Sequence, residues 1–466
     1  KYSSIVLNLA FSAVLARLLT PEDYGIVAVT TVFTTFFSLF ADMGIGSAII
    51  QNKDLGDDDI ASIFSFTVRL SAVLGLAFAV FSFPMSWFYK DGVYVPIGGL
   101  LAVSLLFSTL NMVPNALLLK QKKFLTVGIR TVVLCVFSGA VGIVLALAGL
   151  RYYALVLQTV LNSFLTFVWN YVSTRPRLVF RIKHESIKKI RNYSSFIFGF
   201  NLINYFARNS DNLLISKFLG TAPLGYYDKA YKLMLYPVNN LTHVITPVLH
   251  PILSEHQNDK DYIYITYIKI VKILSLIGAF VVPFCFFNAH GIIRILFGER
   301  WLSAVPCFKF MSIAIWAQMV TSSSGSIFQS LGDSKRMFLS GTLNSVLTVC
   351  AIVLGLLQGS IESVARNVGI IYIFHFVSTY IILIHFSFGR SFFSFLKELI
   401  PDFIIIAALF ACGALFDKFT ANIFEIQSVA VKCMASFAWL SLVYALLLLL
   451  LRQWKCFWVL VGRKKI

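Results

Sequence analysis

Apolar runs of roughly 20 residues, separated by short polar turns, follow one another along the whole chain. Runs of this length match membrane-crossing helices, whereas the strands of a membrane barrel need only about 9–11 residues with strict alternation. The pattern predicts an all-α polytopic membrane protein with about 14 transmembrane helices. The predicted spans are residues 2–18, 25–50, 60–88, 95–119, 125–149, 152–172, 193–219, 225–252, 262–288, 302–330, 337–358, 364–386, 400–416 and 429–451.

A repeated motif divides these spans into two halves. Segment 16–25, ARLLTPEDYG, returns as segment 216–225, SKFLGTAPLG, with a cation, a leucine and a glycine at an offset of 200 residues. Matching halves are typical of membrane transporters, in which two bundles surround a central cavity. We therefore expect two pseudo-symmetric six-helix lobes followed by two further C-terminal helices. The expected parts are the lobe 1–172, a basic linker 173–192, the lobe 193–386, and residues 387–466 with the last two helices and a basic tail.

Composition agrees with a membrane environment. The chain of 466 residues is 58% hydrophobic and 13% charged, with a mean hydropathy of +0.81. A soluble protein has about 45–50% apolar and about 25% charged residues. So much apolar surface cannot be buried in a water-soluble particle, and the bilayer is the expected solvent.

The charge balance predicts an orientation. The net charge is +18, and segment 175–191 holds seven lysines and arginines against one acid, Glu185. Because cationic loops stay on the cytoplasmic side, we expect the linker and both termini to lie in the cytoplasm. A nucleic-acid or inositide-binding role for this linker is the alternative interpretation. The chain begins at Lys1 without a methionine, so we expect that a short N-terminal segment precedes it.

Motifs for catalysis are missing from the sequence. The seven cysteines form no C-x-x-C pair, and neither a Walker A sequence nor H-E-x-x-H occurs. We expect no disulfide framework, no metal site, no cofactor and no catalytic residue, so that the protein is not an enzyme. A membrane-embedded glycosyltransferase or polymerase is the alternative from a different class.

Polar residues recur at helical spacing inside two predicted spans. At 100° per residue, each set occupies a face of roughly 80°. In the seventh span the set is Asn201, Asn204, Arg208 and Asp211. In the eighth span the set is Lys229, Lys232, Tyr236, Asn240, His243 and His250. Asp42 ends a comparable polar face in the second span.

Two interpretations of these faces compete. Charged groups inside apolar helices are costly, at about 2.5–3.5 kcal/mol each on insertion scales, and mark function by default. Such faces would line a water-filled cavity that attracts an anion, because cations outnumber acids on them. The alternative is that these groups lie near helix ends, extend to the interface or hold neighbouring helices together.

Four segments resemble a known family. They are ARLLTPEDYG at 16–25, DMGIGSAIIQ at 42–51, RNSD at 208–211 and LGYY at 224–227. They resemble the polysaccharide transport flippases of the Wzx type, in the multidrug/oligosaccharidyl-lipid/polysaccharide exporter superfamily. The resemblance spans the whole chain and implies a multi-pass protein of the bacterial inner membrane. It implies flipping of undecaprenyl-diphosphate-linked oligosaccharide units, as in lipopolysaccharide or exopolysaccharide biosynthesis, by alternating access.

The resemblance also implies roles for the residues of the polar faces. We expect Arg208, Lys229 and Lys232 to attract the diphosphate or acidic sugars, with Asp211 restraining Arg208 when substrate is absent. The groups expected to hydrogen-bond sugar hydroxyls are Asn204, Tyr236 and Asn240. Asp42 and His243 are the candidates for coupling to H⁺ or Na⁺.

Two transporter alternatives share the same architecture. A cation-coupled multidrug antiporter would be expected to have a carboxylate-rich lumen, which is the reverse of the balance seen here. A lipid II flippase would be required for cell-wall growth. The expected partners of the favoured interpretation are a polyprenyl-diphosphate-linked oligosaccharide, membrane lipid, and a polymerase or glycosyltransferases of the same pathway, with no nucleic acid.

Overall fold

The computed structural model describes residues 2–42, 45–52, 55–180, 182–183, 195–242, 253, 257, 259–422, 428–454 and 456. These residues are helical or in short turns, and no strand occurs among them. The chain divides into two compact units, Lys1–Gly225 and Tyr226–Ile466.

The described residues of the first unit contain nine helices in full. They are α1 (Tyr2–Leu18), α2 (Pro21–Asp42), α3 (Ile45–Gln51), α4 (Asp57–Tyr89), α5 (Tyr94–Leu110), α6 (Met112–Lys120), α7 (Phe124–Leu147), α8 (Tyr152–Thr174) and α9 (Ser195–Phe218). Helix α10 (Thr221–Thr242) starts at the end of this unit and continues into the second. Within the first unit, α4 packs along α5, α8 packs against α5 and α7, and α9 packs against α2.

The second unit continues with further helices. They are α11 (Lys260–Phe287), α12 (Ala289–Phe297), a 3₁₀ turn (Glu299–Ala304), α13 (Val305–Ser312), α14 (Ile315–Thr321), α15 (Ser324–Ser330), α16 (Ser334–Leu357), α17 (Ile361–Tyr380), a π-helical segment (Ile381–Ser387), α18 (Phe392–Asn422) and α19 (Val429–Leu450). Helix α11 packs against α14 and α18, α16 packs along α17, and α19 packs on α18.

Local side-chain contacts explain where several helices begin. At α2, the Thr20 hydroxyl accepts a hydrogen bond from the Asp23 backbone N–H at 3.3 Å, and the Asp23 carboxylate accepts one from the Thr20 N–H at 2.9 Å. This reciprocal capping satisfies two backbone donors that the first helical turn leaves unpaired. Asp259 caps α11 through the Tyr262 N–H at 2.9 Å.

The fold is that of a multi-pass membrane protein. Within the described part of the chain, ten helices are long and apolar enough to cross a bilayer. The bent pair Glu299–Ser312 and Ile315–Ser330, which meet at 50°, adds an eleventh span if it is counted as one. Helices α1, α9 and α10 coincide with three further predicted spans but are too short or too polar for that test. The all-α polytopic prediction is confirmed, and the count of 14 is compatible with these helices.

One predicted single span is bent, and another contains a short interruption. The predicted span 95–119 is found as one span, Tyr94–Lys120, in which α5 and α6 are separated at Asn111, because Pro114 lacks the N–H that would pair with the Leu110 carbonyl. The predicted span 302–330 consists of α13, α14 and α15. The Ser312 and Ser322 hydroxyls donate there to carbonyls three residues earlier, at 2.8 Å and 2.6 Å. Such back-bonding competes with the helical ladder and bends helices.

The predicted domain boundaries stay a prediction. Helix α9, which the sequence analysis places in the lobe 193–386, lies in the first compact unit. The start of the predicted linker 173–192 runs beside α4, where the Val179 N–H donates to the Ser65 hydroxyl at 2.8 Å and Lys183 pairs with Asp58 at 2.8 Å. Residues 184–194 lie outside the described part.

The repeated motif ends in a reciprocal close approach within the first unit. A Cβ atom built on Gly25 would lie 1.8 Å from the carbonyl oxygen of Thr221, the first residue of α10. A Cβ built on Gly225 would lie 2.0 Å from the carbonyl oxygen of Pro21, the first residue of α2. The first peptide group of α10 therefore packs directly on Gly25, and the first peptide group of α2 packs directly on Gly225. The offset of 200 residues between the two glycines corresponds to this one symmetric contact.

We expect Gly25→Ala and Gly225→Ala each to destabilise the protein. Backbone oxygens cannot rotate away as a side chain can, so both helix starts must separate, and overpacking of this kind costs about 1–3 kcal/mol. Thermal unfolding of the purified variants measures the effect as a lower Tm. Gly341→Ala is the matched control because no atom lies within 4 Å of its Cβ position. An unchanged Tm for both Gly25→Ala and Gly225→Ala contradicts the close packing.

Candidate functional site

Several residues of the predicted polar faces are not described. His243 lies outside the described residues, and so do the side chains of Asp42, Asn204 and Arg208. The backbones of Asn204 and Arg208 lie in α9, and Asp42 is the last residue of α2. The expected pairing of Arg208 with Asp211 and the coupling role of Asp42 and His243 therefore stay predictions.

Asp211 is a buried carboxylate in α9. It is 5% exposed, and its Oδ1 accepts a hydrogen bond from the Asn212 backbone N–H at 2.8 Å. A carboxylate inside an apolar helical bundle is retained only at a considerable cost in solvation. The first unit thus holds a buried acidic side chain on one of the two helices with a predicted polar face.

Lys229 in α10 is buried against aromatic rings of the second unit. Its Nζ lies 5.0 Å from the ring centroid of Phe297, at the end of α12, and 5.7 Å from that of Trp301. The residue is only 4% exposed, and Trp301 is fully buried. The ring faces attract the ammonium by a cation–π interaction, which strengthens when water is excluded.

Lys232, one turn further along α10, has a different environment. Its side chain is 60% exposed, and its Nζ lies 2.6 Å from Oδ2 of Asp228, which is 5% exposed. Sequence analysis did not single out Asp228, although its i, i+4 spacing from Lys232 is the usual signal for an ion pair on a helix. The basic stretch of α10 therefore carries a buried carboxylate that balances one of its two lysines.

The polar face continues toward the end of α10. Tyr236 and Asn240 are half-buried, and the Asn240 amide donates to the carbonyl oxygen of Tyr236 at 2.8 Å. Pro237 lies between them and removes one backbone donor from the helical ladder. This part of α10 therefore has polar groups besides the charged ones with which to contact a hydroxyl-rich ligand.

The second unit contains a buried ion pair that is not among the predicted site residues. Lys272 of α11 lies 2.7 Å from Oδ1 of Asp402 in α18, and Asp402 is fully buried. The Ser275 hydroxyl donates to Asp402 Oδ2 at 2.6 Å, and the Trp316 indole donates to Ser275 at 2.9 Å. The Lys272 ammonium also donates to the Glu398 carbonyl at 2.7 Å, so that it contacts two oxygens of α18.

The first unit also contains a buried arginine. Arg130 of α7 is 8% exposed, and its Nη1 donates to Asn170 Oδ1 at 2.5 Å and to Asn115 Oδ1 at 3.3 Å. The Asn170 amide donates in turn to Asn111 Oδ1 at 2.7 Å. These contacts join α6, α7 and α8, and the partners of the guanidinium found among the described residues are amides.

The described residues hold no group of three His, Cys, Asp or Glu side chains placed to bind a metal ion. The groups that α9 and α10 present are ammonium, carboxylate, phenol and amide. Such groups attract and hydrogen-bond a charged, hydroxyl-rich ligand.

Comparison with known proteins assigns the family. The sequence model of the family described as "Polysaccharide biosynthesis protein" matches residues 14–306, which include all of α9 and α10. The chain belongs to this polysaccharide biosynthesis protein family. The resemblance noted in the sequence analysis is therefore confirmed.

Two curated relatives match most of the chain. The teichuronic acid biosynthesis protein TuaB of Bacillus subtilis (strain 168) is 24% identical over 417 residues, covering 87% of this chain and 84% of TuaB. The lipopolysaccharide biosynthesis protein WzxC of Escherichia coli (strain K12) is 21% identical over 422 residues, covering 88% of this chain and 84% of WzxC.

A solved structure has the same fold. The lipid II flippase MurJ, in its inward closed conformation, superimposes with a TM-score of 0.75 at 14% identity, covering 97% of this chain and 98% of MurJ. This likeness confirms the predicted polytopic, all-α architecture. Together, the family and the fold define a membrane transporter of polysaccharide biosynthesis, in agreement with the expectation that the protein is not an enzyme.

Proposed function

We propose that this protein flips a polyprenyl-diphosphate-linked oligosaccharide across the bacterial inner membrane, from the cytoplasmic to the outer leaflet, by alternating access. The observation that carries the proposal is the family match over residues 14–306, which spans the polar segments of α9 and α10. Lipopolysaccharide or exopolysaccharide synthesis is the corresponding pathway class. The names of TuaB and WzxC support that class.

The chemistry of α10 supports an anionic substrate. Lys232 is exposed and held by Asp228, so a diphosphate or an acidic sugar that approaches Lys232 competes with a neighbouring carboxylate. Lys229 adds a second positive charge one turn away, under the rings of Phe297 and Trp301. We assign Arg208 to the same task on α9, with Asp211 as its counter-charge, and Asn204, Tyr236 and Asn240 to sugar hydroxyls.

We also assign residues to ion coupling and give the chain an orientation in the membrane. Asp42 and His243 are the groups assigned to H⁺ or Na⁺ coupling, since a carboxylate and an imidazole exchange protons near neutral pH when their surroundings change. Both termini and the basic linker lie in the cytoplasm, because lysines and arginines are retained on that side. A polymerase and glycosyltransferases of the pathway are the proposed partners.

Transport measurements on Lys232→Gln test the role of the exposed lysine. Hydrogen bonds to charged groups contribute about 1.5–3 kcal/mol, so we expect flipping to fall roughly tenfold or more. The assay follows a labelled polyprenyl-diphosphate oligosaccharide in proteoliposomes, together with surface polymer in a deletion strain carrying the variant. Lys418→Gln, at an exposed lysine near the end of α18, is the control.

Phenotypes of the deletion strain distinguish the proposed function from the alternative functions. Normal surface polymer with increased drug sensitivity would replace the proposal by a multidrug antiporter. Arrested cell-wall growth with normal polymer synthesis would replace it by a lipid II flippase. Incorporation of labelled sugar by the purified protein would contradict transport as its activity.

A further inference from the structure

Several helices of the second unit end around one cavity of about 560 Å³. Helix α11 begins there at Lys260, α16 begins beside it at Ser334, and the π-helical segment ends at Ser387. Each of these residues is an end of an apolar helix long enough to span the membrane. The cavity therefore lies at one surface of the bilayer, at the depth of lipid headgroups.

The cavity is positively charged. Lys260, Lys335 and Arg336 line it together with a single carboxylate, Asp333, which leaves two positive charges in excess. The Lys260 ammonium donates to the Ser387 carbonyl at 3.2 Å. Lys335 is exposed, and within the described part of the chain no hydrogen bond or ion pair occupies its ammonium. Lys260 and Lys335 thus each have N–H donors left for an incoming anion.

The Asp333 carboxylate accepts hydrogen bonds from other residues of the cavity wall. It accepts hydrogen bonds from Arg336 Nη1 at 2.7 Å, from the Ser387 hydroxyl at 2.7 Å and from the Arg336 backbone N–H at 3.3 Å. Partial burial alone would raise the pKa of Asp333, but the bonds from Ser387 and Arg336 outweigh it and lower the pKa. Asp333 is therefore ionised at neutral pH and connects α16 to the π-helical segment.

Nearby acids do not neutralise the remaining lysines. Asp259 accepts the Tyr262 N–H at 2.9 Å as the cap of α11, and Asp261 pairs with Arg390 at 2.7 Å. Lys335 and Arg336 also lie in the first turn of α16, where the helix dipole already places positive potential. Cations at this position do not stabilise the helix, so an external anion is the favourable counter-charge.

Gly332 lies in the turn that lines the cavity between α15 and α16. Gly332 has φ +69°, which favours glycine, and a Cβ there would lie 2.6 Å from the amide nitrogen of Gln257. On the membrane side, Phe338 and Leu339 of α16 are 50% and 59% exposed. A charged recess thus adjoins apolar side chains that lie in the acyl-chain region.

We propose that this cavity binds the phosphate headgroup of a membrane lipid, with Lys260 and Lys335 on the phosphate oxygens and the lipid chain against Phe338 and Leu339. Basic pockets between spanning helices recognise anionic headgroups in this way. The volume is within the range of ordinary ligand sites and exceeds what one inorganic ion needs. The leaflet rests on the proposed orientation, which makes it the cytoplasmic one, from which the substrate is loaded.

Lipid binding to the purified full-length protein tests the site. Native mass spectrometry in detergent compares phosphatidylglycerol, polyprenyl phosphate and phosphatidylcholine, and inorganic phosphate is the soluble competitor. Each surface lysine contributes about fivefold to the affinity for an anionic lipid, so we expect Lys260→Gln and Lys335→Gln each to weaken binding by about that factor. Lys418→Gln, with normal binding expected, controls for total charge.

The outcomes are distinct. Variant-sensitive binding of phosphatidylglycerol supports a bulk phospholipid as the occupant, and stronger variant-sensitive binding of polyprenyl phosphate supports the substrate itself. Equal binding by wild type and the Lys260→Gln, Lys335→Gln double variant overturns the proposal, as does inorganic phosphate binding without any lipid preference. Wild-type protein that binds lipid in a variant-sensitive way but does not transport the labelled oligosaccharide would contradict the proposed function and leave the cavity assignment standing.

Discussion

Asp402→Leu is expected to unfold or strongly destabilise the second unit. The substitution leaves the Lys272 ammonium, whose side chain is 12% exposed, without the carboxylate that lies 2.7 Å away. Removing one partner of a buried ion pair costs about 3–5 kcal/mol, because the remaining charge has neither water nor a counter-ion. Thermal unfolding and the amount of protein in the membrane measure the loss.

The double variant Lys272→Met, Asp402→Leu is the informative control. Replacing a whole buried pair by apolar side chains of similar volume is often neutral or stabilising, so we expect most of the lost Tm to return. Failure of the double variant to recover stability would mean that α18 needs the hydrogen bond from Ser275 to Asp402, which the Trp316 indole supports by donating to Ser275, as much as it needs the charge of Asp402. An unchanged Tm in Asp402→Leu alone contradicts the ion pair as a structural contact.

The lengths of the apolar runs predicted the helices because burial in lipid requires a continuous apolar segment. Breaks inside these runs were harder to predict. Pro114 carries a recognisable signal, since it lacks a backbone donor. The break between α13 and α14 follows Ser312, whose hydroxyl donates to the Lys309 carbonyl, but Ser71 makes the same kind of bond inside the continuous helix α4. A serine at such a position therefore does not predict a break by itself.

The long-range contacts of the candidate site could not be predicted from helical periodicity. Helical phase placed Lys229 and Lys232 on one face, but one is buried and the other is largely exposed. The difference comes from Phe297 and Trp301, which are about 70 residues away in sequence and cover only Lys229. Phase gives the direction of a side chain relative to its own helix, whereas its environment depends on which other segment packs there.

The buried pair of Lys272 and Asp402 shows the same limit. In the sequence, Lys272 reads as a cation that extends to the interface, and Asp402 reads as an acid near the start of an apolar span. Only the packing of α18 on α11 brings them to 2.7 Å. A carboxylate within a spanning segment is nevertheless a signal to look for a buried cation on another helix.

Lys229→Met is expected to reduce polymer export at least tenfold while the protein still accumulates in the membrane. Methionine has a similar length, and its thioether packs well on aromatic rings, so the space beside Phe297 and Trp301 stays filled. The variant lacks the positive charge. A charged group at a position that is only 4% exposed costs considerable solvation free energy, which indicates that the charge has a function.

The matched variant Lys229→Arg separates charge from packing. Arginine keeps the charge and stacks on aromatic faces, so export should persist at a substantial fraction of the wild-type level. Surface polymer in a deletion strain is the readout, with membrane protein level and Tm measured in parallel. If Lys229→Met exports polymer normally, the charge of Lys229 takes no part in transport, and its place beneath the rings is structural.

Export that requires the cation even though it is buried would instead mean that α12 and the 3₁₀ turn uncover Lys229 during the cycle. The aromatic rings would then be the part that moves when substrate binds.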